Sequence, residues 1–175
     1  MKDVILGQHI LFARAGDVID GITVGPEAKP DGDPSSNYTV VASCEGWQPR
    51  RTANRVIRRA PNPGRYEDRK TLLLNKQMEY AFNLQEWSDM TLAEALLGGN
   101  KPVAGVFVPN ERDDDLTGWW IMRGYDQEDN LILSLDAYGE GRVEPFQFGE
   151  NVNPYALIVR QLKSTLNTGK VENLS

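Results

Sequence analysis

The chain has 175 residues, 40% of them hydrophobic and 25% charged, with a formal charge of −6 at neutral pH. That length suits one domain with a real core, and the acidic balance argues against a general nucleic-acid binder, whose contact face needs surplus Lys and Arg. The single cysteine, Cys44, excludes an intramolecular disulfide, no apolar run approaches the ~20 residues of a membrane-spanning helix, and 16 glycines with 10 prolines favour a turn-rich, mainly β chain.

In chain order, residues 4–13 read as a first β-strand. Ala13-Arg14-Ala15 has the look of a leader cleavage site, but Asp3 weakens the basic flank and Gln8 and His9 break the apolar run. A long loop follows at about 14–37, with Pro26, Pro30 and Pro34, then a strand near 38–46 in which Cys44 reads as a small buried hydrophobe.

Residues 47–70 read as a second long loop, bounded by Pro49, Pro61 and Pro63. Within it, Arg50, Arg51, Arg55, Arg58, Arg59, Arg65, Arg69 and Lys70 face only Glu67 and Asp68. This segment carries +6, so the rest of the chain carries −12. A protein divided in this way can attract copies of itself, basic segment to acidic body.

Beyond it the period is two. Met78, Tyr80, Phe82 and Leu84 alternate with Glu79, Ala81, Asn83 and Gln85; Leu131, Leu133, Leu135 and Ala137 with Ile132, Ser134, Asp136 and Tyr138; and Tyr155, Leu157 and Val159 with Ala156, Ile158 and Arg160. Less regular strands are expected near 103–108, 118–125 and 143–148. Asp126–Asn130 reads as the turn of a hairpin joining 118–125 to 130–138. One short helix is expected at about 89–97: Thr91 and Glu94 have capping-box spacing, Leu92 and Leu96 share a face, and Gly98-Gly99 ends it. Gly124, Gly139, Gly141 and Gly149 read as turns or bulges, and 163–175 as a polar tail. The expected architecture is therefore a single mainly β domain over 1–175, a β-sandwich or barrel with one short packed α-helix and long inter-strand loops.

No catalytic constellation emerges. His9 is the only histidine, a Cys44–His9 dyad lacks support, and zinc would need more Cys or His ligands. Asp126-x-Glu128-x-Asn130 lacks the glycine and glutamate of a calcium loop. Glu111–Asp115 reads as a solvated loop tip. The chain is expected to be no enzyme and to hold no metal or cofactor. Trp47, Trp119 and Trp120 are candidate interface aromatics. Adjacent Trp119 and Trp120 must point to opposite sheet faces, so one leaves the core unless both faces are covered.

The order of features from about Gly46 to Leu162 resembles the tail tube proteins of long-tailed phages, which are related to the tubes of contractile and secretion systems. The resemblance lies in layout: a long loop after an early strand, Pro63-Gly64 leading to Thr71–Leu84, the helix Thr91–Leu97, the hairpin around Asp126–Asn130, and Leu131–Phe148 with its Tyr138-Gly139-Glu140-Gly141 turn. It implies a virion structural protein, assembled in the host cytoplasm. Six copies would form a ring whose sheets join edge to edge into an inner barrel, and rings would stack into a tube. The loop at about 47–70 would reach a neighbouring ring. The implied partners are further copies, other tail proteins (terminator, tape measure, baseplate), and double-stranded DNA that passes through the lumen without specific binding; no membrane is implied. A lumen wall with fixed negative charge would keep the duplex mobile. Two other readings stand beside this one: a nucleic-acid-binding module using the same basic loop, and a related tail terminator or tube-initiating ring.

Overall fold

The computed structural model describes residues 7–31, 34–85, 93–94, 97–111, 116–144 and 155–171. Nine strands and one helical turn run in the order β1 (Gly7–Arg14), β2 (Val18–Ile19), β3 (Ile22–Thr23), α1 (Pro34–Asn37), β4 (Thr39–Asn62), β5 (Arg65–Leu84), β6 (Leu116–Tyr125), β7 (Leu131–Val143), β8 (Tyr155–Gln161) and β9 (Thr168–Val171). Seven of them form one sheet in the order β6-β1-β4-β5-β8-β7-β9, and β6 also pairs with β7. All seven-strand-sheet ladders are antiparallel. The short β2–β3 pair stands apart.

This corrects the expected fold class. In place of a sandwich or barrel with a packed helix stands a single seven-stranded sheet with an additional β6–β7 ladder. Helical geometry among the described residues is limited to the one turn of α1 and to Ala93–Glu94, which lie in a π-type turn. Most of the expected 89–97 helix falls outside the described residues, as do 145–148 of the expected strand at 143–148. The segment 103–108 contains only an isolated bridge between Val103 and Val106.

The second correction concerns residues 47–70, which are not a loop. They are the outer halves of β4 and β5, paired from Gln48↔Ala81 to Asn62↔Arg65 around a turn at Pro63-Gly64. Gly64 takes a φ of 80° there, a conformation that favours glycine. Proline belongs in a sheet only where no ladder partner needs its missing N–H. Pro49 and Pro61 meet that condition, because β1 pairs with β4 no further than Cys44.

Over β1, β6 and β7 both faces of the sheet are covered. On one side Ile10, Phe12, Trp120 and Met122 pack with Val41, Phe82, Leu84, Leu157 and Val159. On the other, Leu11, Ala13, Trp119, Ile121 and Tyr138 pack beneath Val24, Tyr38 and Ile19, which the excursion over 15–38 lays across them. Trp119 and Trp120 do point to opposite faces, yet each is fully buried. Trp119 Nε1 donates to the Gly25 carbonyl at 2.8 Å and Trp120 Nε1 to the Gly139 carbonyl at 3.3 Å. Neither tryptophan reaches the surface of the chain, which removes them as surface anchors.

Two ion groups fasten the coverings. Buried Asp136 accepts from Arg123 at 2.7 Å and from Lys29, tying the excursion to β6 and β7. Buried Glu94 accepts from Arg14 at the end of β1. Such pairs cost desolvation, but removing one partner leaves a stranded charge, so they specify how the connections lie.

Gly139 and Gly141 are not turn residues either; both sit inside β7. At Gly141 a Cβ would lie 2.1 Å from Cζ2 of Trp120. The glycine is needed for close approach of backbone to indole. The Asp126–Asn130 turn is where the alternation put it. The Asp126 carboxylate accepts from the amides of Glu128 and Asn130, both at 2.8 Å, which caps the turn.

Candidate assembly interface

From Arg51↔Met78 outward, β4 and β5 pair only with each other, because β8 pairs with β5 no further out than Glu79. The result is a two-stranded arm that projects roughly 35 Å from the body at about 3.3 Å per residue. Its register shifts between Thr52 and Asn54 and between Arg58 and Arg59. Each shift adds twist and re-aims the side chains beyond it.

The arm with Arg50 at its root carries the whole basic set, and Arg50, Arg51, Arg55, Arg58, Arg59, Arg65, Arg69 and Lys70 are all exposed. The two acids of the segment are already engaged near the tip: Asp68 with Arg59 at 3.0 Å and Glu67 with Arg65 at 2.8 Å. Among the described residues no carboxylate lies within ion-pair distance of Arg51, Arg55, Arg58, Arg69 or Lys70. Arg58 even stands directly opposite Lys70, a like-charge cross-strand pair that destabilises the ribbon by itself.

The structure adds apolar side chains that the charge count hid. Val56, Ile57, Leu73 and Leu74 are 44, 48, 43 and 47% exposed, and Tyr66 near the tip is 73% exposed. Opposed residues share a face, so Val56 with Leu72, and Leu74 two positions on, lie on one side of the ribbon. Ile57 and Leu73 lie on the other. Neither face has a cover among the described residues. The signal was present in the sequence: Leu72-Leu73-Leu74 is a run of three apolar residues in a period-two strand, and no single core can receive all three.

Trp47 sits where the arm leaves the body. It packs against the first core and stacks on Tyr80 with ring centroids 6.3 Å apart and planes 18° from parallel. It anchors the root of the arm, whereas Trp119 and Trp120 belong to the two cores.

The remaining chemical candidates make packing or hydrogen-bond contacts in the structure. Burial pushes the Cys44 thiol up to about 12, the opposite of the lowered value a nucleophilic thiol needs. Its sulfur meets Gln8 Oε1 at 3.6 Å, while His9 meets the ring of Tyr125 with centroids 5.9 Å apart. Glu111 accepts from the Asn100 amide, and residues 112–115 fall outside the described residues. Neither the protein-family models nor the curated proteins contain a match to this chain.

Proposed function

We propose that this chain is the structural subunit of a phage tail tube, with six-membered rings stacking into a hollow conduit for the genome. The observation that carries the reading is the β4–β5 arm, which leaves the body without burying either of its faces. An isolated two-stranded ribbon is marginal in water. One that exposes aliphatic side chains on both sides and a charge of +6 is a segment awaiting a protein surface. The remainder of the chain, at −12, supplies the complementary charge. Long-range attraction of this kind speeds and orients docking more than it deepens affinity.

The exposed aliphatics also weigh against the nucleic-acid-binding alternative, because the arm has a single aromatic, Tyr66, on which a base could stack. Negative-stain electron microscopy with sedimentation velocity tests the proposal: rings or tubes are expected. A chain that stays monomeric at every concentration and salt would refute it. Closed rings that never elongate would reassign it to a tail terminator or tube-initiating ring. Retention on double-stranded DNA that falls steeply with salt would restore the nucleic-acid reading.

A further inference from the structure

At the root of the arm, where β5 leaves its ladder with β8, lies an open cavity of about 300 Å3. Arg51, Lys76 and Lys163 line it, and among the described residues no carboxylate does. Met78 and Leu162 give it an apolar floor. They are held by the first and second cores respectively, so the floor is tied to the body and not to the tip of the arm.

The last two wall residues are amides whose oxygens are already taken. Gln161 Oε1 accepts from the Tyr80 hydroxyl at 2.7 Å. Gln77, with its amide oxygen turned toward Arg160, accepts from that guanidinium, Nε at 2.8 Å. In each case the amide N–H2 is the half left to offer the cavity. The charged side chains of the lining are therefore three cations, with two amide groups beside them. Lys163 also acts electrostatically on Glu27, which is not among the residues lining the cavity. Both oxygens of Glu27 are bound by Thr165, and it is held below its ordinary range by the Thr165 hydroxyl first, then the Thr165 amide, and only last by Lys163.

A cationic cavity with an apolar floor fits a carboxylate on a short aliphatic stem. We infer that it is a socket for an Asp or Glu side chain of a second copy of this chain. The inference rests on the proposed self-assembly and names one of its contacts. A copy engaged by the exposed faces of the arm brings its surface alongside the arm's root, and the chain outside the basic segment carries −12. Ion pairs made there, partly shielded by the cavity walls, add registration to the apolar contacts of the arm.

The test uses the full chain with Arg51→Gln, Lys76→Gln and Lys163→Gln combined, which keeps hydrogen-bond donors and removes the charge. Sedimentation velocity is recorded over a concentration series, with and without citrate at constant ionic strength. The variant is expected to need roughly tenfold more protein for half-assembly, as three partly exposed ion pairs would give. Citrate is expected to weaken assembly of the wild type and to leave the variant unaffected. Equal assembly by wild type and variant would overturn the socket while sparing the tube reading. A wild type that never assembles would overturn both. Wild-type retention on double-stranded DNA that the variant loses would reassign the site to phosphate. If the variant unfolds at lower urea, citrate competition on the wild type decides alone, and no citrate effect overturns the socket.

Discussion

If the arm works by burying its faces in a neighbour, removing its aliphatic side chains should cost assembly far more than folding. The perturbation is Val56→Thr, Ile57→Thr, Leu73→Thr and Leu74→Thr in one chain, because threonine keeps strand preference while losing apolar area. Fully burying such a side chain is worth roughly 1.5–3 kcal/mol. A little under half of each remains exposed, so a partner that covered all four would gain about 1 kcal/mol from each. Threonine keeps one methyl, which leaves a net loss of about 3 kcal/mol per arm and a shift of more than about 100-fold in the concentration for half-assembly. The body should barely notice: the arm pairs only with itself beyond Arg51↔Met78, and the urea midpoint should move by no more than about 0.5 kcal/mol of stability. Sedimentation velocity reads the first quantity and urea unfolding by tryptophan fluorescence the second. Unchanged assembly would sink the assignment of the arm's faces. A large loss of stability would show that they are part of the core.

Three further outcomes are expected. Arg58→Glu should leave stability equal or raise it by about 0.5 kcal/mol in urea unfolding, because it turns a like-charge pair with Lys70 into an attractive one, and should still weaken assembly in a salt-dependent way. Gly141→Ala forces a Cβ to within 2.1 Å of the fully buried Trp120 ring and should cost about 3 kcal/mol or more in urea, while Gly25→Ala, with open space around it, should cost little. Burial pushes Cys44 from an ordinary 9.0, and Tyr38 from 10.0, each up to about 12, so the folded chain keeps protons that the unfolded chain releases. Stability should hold below pH 9 and fall as pH rises toward about 12, by on the order of 3 kcal/mol per group. Cys44→Ala should remove the cysteine share of that fall, and at pH 8 the thiol should react with a disulfide reagent only as fast as the chain opens.

How far the sequence was readable depends on whether a strand has one dry face. Tyr80, Phe82 and Leu84 alternate visibly because β5 there lies over the first core, whereas Leu131–Leu135 at the start of β7 are all half-buried and only Leu135 packs on that core. The outer halves of β4 and β5 have two wet faces, so nothing selects alternate apolar residues, and prolines at 49 and 61 completed the disguise as a loop. Trp119 and Trp120 were correctly given opposite faces. Their burial was not readable, because the cover over Trp119 comes from Val24 and Tyr38 in a segment that looks like polar loop. The glycines of β7 read as turns or bulges because a glycine that makes room for an indole has no local signature. Of the candidate interface, the charge was legible by counting and the apolar half was overlooked within it.

The composition of the arm also limits how a partner can meet it. A two-stranded ribbon has two free edges, and extended free edges invite further strands to add without limit. This ribbon carries the usual defences against that: Pro61, like Pro49 just before its root, cannot donate along β4, the register is broken twice, and eight basic side chains line the segment. Strand addition to the arm is therefore disfavoured, while its two aliphatic faces stay open. A partner should then be met face to face, by side-chain packing over Val56, Leu74, Ile57 and Leu73, with the cations setting its approach. That distinguishes a repeating assembly of defined register from amyloid-like pairing. Adding a short peptide with the sequence of β4 in excess should consequently fail to block assembly, whereas the four threonine substitutions should block it. Inhibition by the peptide would mean that the arm's edges, not its faces, make the contact.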